Sequence, residues 1–162
     1  MSRLYLVRHA QAAGSWDGDL DPGLDDIGRA QAEGLIERLP GNLPMVVSPM
    51  RRARETALPL ERRLGTFARV DVRVGEIATP DGIGLAERGT WLRDLMDRRW
   101  PDLGPELRLW RQGVLDALAD LSADTIVVTH YIAINVAVGA SRGDDRVVNT
   151  RPANASVTVI DV

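Results

Sequence analysis

The sequence predicts an α/β fold, a three-layer α/β/α sandwich around a mixed, mainly parallel sheet. Three observations carry this. Short apolar runs at residues 4 to 7, 45 to 47 and 125 to 128 alternate with longer stretches of helical period, the pattern of strand-helix-strand units rather than hairpins. Each run ends abruptly in polar or cationic residues: Arg8-His9, Ser48-Pro49 with arginines behind, and Thr129-His130. Right-handed crossovers bring the ends of parallel strands to one edge, where ligands bind in open α/β sheets. The only two histidines, His9 and His130, follow two of the three runs, so one site is expected to hold both.

Residues 4 to 7 are too short and too apolar for a surface helix and read as the first strand. Residues 11 to 23 are rich in Gly, Asp and Ser and form a loop. Asp17, Asp19 and Asp21 imitate the start of a calcium loop, but Pro22 stands where the turn glycine is needed and Gly28 where the bidentate glutamate belongs. A helix follows, capped by Asp25, with Ile27, Ala30, Gly34, Leu35 and Leu39 on its buried face and Pro40-Gly41 as its stop. After the strand at 45 to 47, Ser48-Pro49 opens a helix carrying Arg51, Arg52 and Arg54, which Pro59 should kink or interrupt. β-Branched content marks 70 to 74 as a strand, followed by Gly75-Glu76 and a loop to 84. Two helices broken between Pro101 and Pro105 occupy 85 to 121. Their apolar faces carry Leu92, Leu95, Met96 and Trp100, then Leu107, Trp110, Val114, Leu118 and Leu121. The run at 125 to 129 is a strand, 132 to 138 a helix, and 156 to 161 a closing strand.

The 162 residues, 44% hydrophobic, suit a single domain over 1–162 with a full core. No apolar run is long enough to span a membrane, and the first strand begins too early to leave room for a signal peptide, so a soluble cytoplasmic protein is expected. There is no cysteine, hence no disulfide, thiolate nucleophile or Cys-ligated zinc. Net charge is -3 and all 20 basic residues are arginine. Such a balance argues against a nucleic-acid binder. Arginine used to this extent goes with a GC-rich, bacterial genome.

Four segments, in order, resemble the histidine phosphatase superfamily, the phosphoglycerate mutase-like branch 1. Arg8-His9-Ala10 is similar to its Arg-His-Gly signature, and the segment Pro22 to Ala32 to its Pro-Leu-Thr-x-x-Gly-x-x-Gln-Ala helix start. Ser48-Pro49-Met50-Arg51-Arg52-Ala53-Arg54-Glu55-Thr56-Ala57 resembles its Ser-Pro-Leu-x-Arg-Ala-x-x-Thr-Ala segment, and Val127-Val128-Thr129-His130 its Val-Val-Ser-His strand end. The resemblance implies that His9 is the nucleophile, that Arg8, Arg52 and His130 bind phosphate, and that His130 also assists catalysis. It places the proton donor at Glu76, with Asp81, Glu55 and Glu87 as substitutes.

Those residue types make chemical sense. A neutral imidazole can attack phosphorus in line, splitting a hard hydrolysis into two steps through a phosphohistidine. The protein then supplies positioning and charge, because the transferring phosphoryl spreads its negative charge over oxygens that forked arginine donors match. A carboxylic acid gives the leaving oxygen its proton. No cofactor is needed. Two histidines and scattered carboxylates show no metal-ligand spacing.

Five positions depart from the family pattern. His130-Tyr131-Ile132 replaces a His-Gly-Gly turn, Asn135 stands for a frequent arginine, and Ala12 and Ser15 stand for Thr and Asn. Ser15 and Tyr131 are therefore expected at the margin of the substrate pocket. Only 53 residues separate Glu76 from His130, too few for the longer middle segment with which mutases shield their phosphoenzyme. Phosphomonoester hydrolysis is the expected reaction; mutase-type transfer and a catalytically weak phospholigand-binding module are the alternatives. The expected partner is a small phosphorylated metabolite or a phosphohistidine-bearing protein. The identity of the substrate and the oligomeric state are not written in these residues.

Overall fold

In the computed structural model, which describes residues 1–14 and 20–162, five strands form one sheet in the order β3-β2-β4-β1-β5. β1 (Arg3–Arg8), β2 (Met45–Val47), β3 (Arg69–Val70) and β4 (Thr125–Thr129) are parallel, and β5 (Val157–Asp161) runs antiparallel against β1. Val7 pairs with Val128, and Val128 with Val47. The three apolar runs therefore end side by side, and Arg8-His9, Ser48 and Thr129-His130 emerge together.

The pleat sorts the core into two layers. Leu4, Leu6, Val46 and Val127 pack on one face against α3 (Leu85–Met96), α4 (Pro105–Ala119) and α5 (Tyr131–Arg142). Val7, Met45, Val47, Ile126 and Val128 pack on the other against α1 (Asp26–Gly34) and α2 (Arg51–Leu64). Successive side chains on a strand alternate faces, so strands buried on both sides read as unbroken apolar runs. Leu6 is 1% exposed, and truncation of such a residue to Ala costs about 2–5 kcal/mol.

Four local expectations are corrected. The buried face of the first helix is Gly28, Ala32 and Leu35, continuing to Leu39, whereas Ile27 is 58% exposed and Ala30 and Gly34 face solvent. Gly28 sets this rotation: a Cβ there would lie 2.1 Å from the Gln11 carbonyl oxygen, so the helix touches the loop after β1 with its backbone. Asp25 does cap it, its carboxylate accepting from the Gly28 amide at 2.7 Å. Pro59 does not break α2, which runs on to Leu64 with the ring buried and ends at Gly65 in the left-handed conformation. The strand expected at 70 to 74 shrinks to Arg69–Val70. Asp71 turns the chain into a 3₁₀ segment by accepting from the Arg73 amide and guanidinium, leaving Val72 74% exposed. The closing strand begins at Val157 rather than at 156.

Among the described residues no helix is long and apolar enough to cross a membrane.

Candidate active site

His9 follows the last residue of β1, its amide donating to the Thr129 carbonyl on β4 at 3.0 Å. His9 is 7% exposed. Nδ1 lies 2.8 Å from the Ala10 carbonyl oxygen, which has only lone pairs to offer, so Nδ1 carries the proton and Nε2 the free lone pair. Arg52 Nε donates to that Nε2 at 3.2 Å. The turn holding the ring is itself pinned, since the Ala10 amide donates to Thr56 Oγ1 on α2 and the Thr56 hydroxyl to the Arg52 carbonyl.

Arg52, 7% exposed, gathers the rest of the site. One terminal nitrogen donates to Glu76 Oε2 at 3.1 Å and lies 3.3 Å from His130 Nδ1. The Glu76 Oε1 accepts from the Ile77 amide. His130 is completely buried, and its Nε2 sits 2.7 Å from Ser48 Oγ. The two imidazole centroids are 5.2 Å apart. Arg8 donates to the Pro152 carbonyl at 2.9 Å, while its Nε is buried without a hydrogen-bond partner.

Burial, reinforced by the neighbouring His130 and by Arg52 and Arg8, pushes His9 down to about 3 although the Ala10 carbonyl works the other way. Burial and the charges of Arg52, Arg8 and Arg88 hold His130 well below its ordinary range. Both rings are therefore neutral at pH 7, which for His9 is the nucleophilic form.

A cavity of about 340 Å³ opens over these groups, walled by Arg8, His9, Arg52 and Glu76 together with Gln11, Arg88 and Asn154. Glu76 is the one carboxylate in its wall among the described residues. The substitutes considered from sequence lie elsewhere: Glu55 accepts from Arg51 and the Leu24 amide, Glu87 caps α3 through the Gly84 amide, and Asp81 is an exposed turn residue. His130 stands behind Arg52 rather than in the wall. Tyr131 is not in the wall either. Its ring supports the Arg8 guanidinium, 5.1 Å away, because α5 starts at Tyr131 and turns the side chain behind β1. Ser15 lies outside the described residues. No three His, Cys, Asp or Glu side chains gather as metal ligands would among the described residues.

Sequence reasoning missed Gln11, Arg88 and Asn154. Gln11 is fixed by Gln31 and Asp25 of the α1 start, and Arg88 comes from α3, where its Nε donates to Thr79. Asn154 donates to the His9 carbonyl at 3.1 Å, and its neighbour Ala155, at φ 54°, turns its amide onto the Arg8 carbonyl. Only Gln11, two residues beyond His9, carried any local signal. The segment 152 to 155 reaches the site from the far end of the chain, through the Asn154 side chain and through backbone groups of Pro152 and Ala155 that leave no mark in residue type.

Residues 4–162 match the family model of the histidine phosphatase superfamily (branch 1). A glucosyl-3-phosphoglycerate phosphatase of Mycolicibacterium vanbaalenii is 31% identical over 157 residues, which cover 89% of this chain but 65% of that protein. The chain thus spans just under two thirds of that relative's length. The solved structure of a mycobacterial glucosyl-3-phosphoglycerate phosphatase superposes with a TM-score of 0.73 at 26% identity, over 98% of this chain and 89% of its own. Bacillus stearothermophilus YhfR superposes at 0.79 over 100% and 92% of the two chains, and at 22% identity shows the common fold.

Proposed function

The chain belongs to the histidine phosphatase superfamily, branch 1, and from that premise we propose that it hydrolyses phosphomonoesters through a phosphohistidine on His9, without a metal ion. The observation that carries this reading is the His9 ring itself: proton tied to the Ala10 carbonyl on Nδ1, Nε2 left unprotonated and meeting only the Arg52 guanidinium, in a cavity whose wall also holds Arg8, Arg52 and Glu76.

In the first step Nε2 attacks phosphorus and the bond to the ester oxygen breaks. The Nδ1 proton stays on the ring, and the Ala10 carbonyl stabilises the positive charge that develops there. Arg52 gives up its contact to Nε2 as the P–N bond forms, and its fork, with that of Arg8, turns to the phosphoryl oxygens. Glu76 gives the departing oxygen a proton, then takes one from the water that displaces His9 and releases inorganic phosphate. His130 works from beneath. Ser48 orients its ring and its Nδ1 faces the Arg52 guanidinium, so it positions Arg52 and meets phosphate oxygens once that guanidinium has turned.

The favoured substrate class is a small phosphorylated metabolite of a bacterial cytoplasm. It is supported by the size of the cavity, by the bacterial source of the related phosphatase, and by that relative's name, which specifies a phosphorylated sugar acid. The length from Glu76 to His130 is used up by α3 and α4, which favours hydrolysis over a shielded mutase site.

The test is steady turnover of an aryl phosphate in the presence of a chelator, with acid quenching to trap an acid-labile phosphoenzyme. His9→Ala should lose both turnover and label while keeping its fold by circular dichroism. Label recovered on another residue, or turnover only with an added divalent ion, would refute the reading.

A further inference from the structure

A second hollow of about 490 Å³ lies beside Tyr131. Its wall contains five arginines, Arg93, Arg98, Arg99, Arg146 and Arg151, against one carboxylate, Asp97. Met96, Val148 and Tyr131 give it an apolar side. Two of the cations are spoken for: Arg99 pairs with Asp145 and Arg146 with Asp144. The other three meet no acid. Arg93 reaches only the Thr90 hydroxyl at 3.3 Å, Arg98 only the Asp102 carbonyl at 3.4 Å, and Arg151 has no partner among the described residues. After Asp97 is set against them, two positive charges remain, in a chain whose formal net charge is -3. Like charges gathered against the overall balance raise the local potential for an anion. Forked guanidinium donors match phosphate and carboxylate oxygens.

The hollow is also tied to the catalytic cavity through Arg8. That side chain has two supports, the Tyr131 ring and the Pro152 carbonyl, and its Nε has no hydrogen-bond partner. Tyr131 lines the hollow, and Pro152 follows directly on Arg151, which lines it too. Asn135, fully buried, fastens the approach to this segment by accepting from the Asn149 and Thr150 amides, and its own amide holds the Tyr131 carbonyl. A ligand drawing Arg151 inward or pressing on Tyr131 therefore acts on both supports of Arg8.

We propose that this hollow is an effector site for a small organic polyanion, one bearing at least two phosphate or carboxylate groups, whose occupancy shifts the Arg8 guanidinium. Its volume suits a small molecule rather than a macromolecule. The site does not depend on the phosphatase reading, because both halves of the proposal can be read without turnover.

Methylenediphosphonate serves as the probe, since its P–C–P bridge resists hydrolysis. Calorimetry in 150 mM sodium chloride should show a site that weakens at least tenfold in the double variant Arg93→Gln/Arg151→Gln. Both residues are exposed and meet no carboxylate, so the variant should keep the wild-type melting curve and aryl phosphate turnover. In parallel, the Arg8 Nε–H resonance, identified by its loss in Arg8→Lys, should move on titration of the wild type beyond any shift that occupation of the catalytic cavity produces in the double variant. Equal binding by both proteins, disappearance of binding at this salt concentration, or tighter binding of a DNA duplex than of the diphosphonate would overturn the site. Binding that leaves the Arg8 resonance in place would overturn the effector role.

Discussion

Acid should destabilise this protein in a pH window that belongs to its two histidines. His9 is held at about 3, against an ordinary 6.5. Between those values the unfolded chain binds a proton that the folded chain refuses, so stability rises with pH and is lost as pH falls from 6.5 toward 3. The slope approaches about 1.4 kcal/mol per pH unit for a single group, and integration from pH 7 to pH 4 gives roughly 3 kcal/mol from His9 alone. That is a large part of the roughly 5–15 kcal/mol that holds a typical domain together. His130, shifted in the same direction, adds to it. The depressed carboxylates do not blur the window: hydrogen bonds from Arg73 and Arg146 hold Asp71 and Asp144 at about 2, and their contribution fades only below the ordinary 3.8. Urea unfolding at pH 7, 6, 5 and 4 measures the slope, and His9→Asn should flatten it by about one proton. With only two histidines in the chain, the imidazole nitrogen resonances can be assigned with that one variant. A folded-state titration near 6.5 for either ring, or a midpoint flat from pH 7 to 4.5, would refute the burial argument and with it the neutral nucleophile.

Loss of the acid at Glu76 should matter most when the leaving oxygen is strongly basic. Glu76→Gln is expected to lower kcat/KM for an alkyl phosphate by about 10²–10⁴-fold and for a nitrophenyl phosphate much less; an equal loss on both would assign Glu76 another role. Arg52→Lys keeps the charge but not the fork, and cannot reach His9, Glu76 and His130 together. A fall of about 10²-fold or more in aryl phosphate kcat/KM is expected, and a variant within threefold of wild type would remove Arg52 from the chemistry. Gly28→Ala forces a methyl against the Gln11 carbonyl. It should cost at least about 1–3 kcal/mol in urea unfolding, and an unchanged midpoint would show that α1 does not press on the loop after His9.

The parts of this molecule that were legible in the sequence are those where burial is two-sided and continuous. β1, β2 and β4 announce themselves because every residue of Met45–Val47 and Thr125–Thr129 is buried, and a parallel topology then puts their polar ends together without further information. The parts that were not legible are decided by single contacts between distant segments. The face of α1 follows from one carbonyl, at Gln11, crossing at Gly28. The third strand stops at Asp71, whose amide still donates to the Val47 carbonyl but whose carboxylate turns the next residues by capping the Arg73 amide and guanidinium. Tyr131 looked like a pocket residue because it follows His130, yet the helix that begins there carries its ring behind Arg8.

The same distinction explains why His130 and Arg52 are better regarded as one unit than as two independent ligands of phosphate. Sequence placed each after a strand end, and the resemblance made each a phosphate ligand without showing how the two side chains meet. In the fold, Arg52 lies between the buried ring and the cavity, within 3.3 Å of its Nδ1, while donating to the nucleophile and to Glu76. A guanidinium with three such neighbours is held against the cavity before any phosphate arrives, so the turn of its fork from Nε2 to the phosphoryl oxygens is a short one. Burial is the larger cause of the neutrality of both imidazoles, and Arg52 adds to it, since a second proton on either ring would face its guanidinium at hydrogen-bond distance. The cation that prepares the site for phosphate is also one that keeps the nucleophile unprotonated.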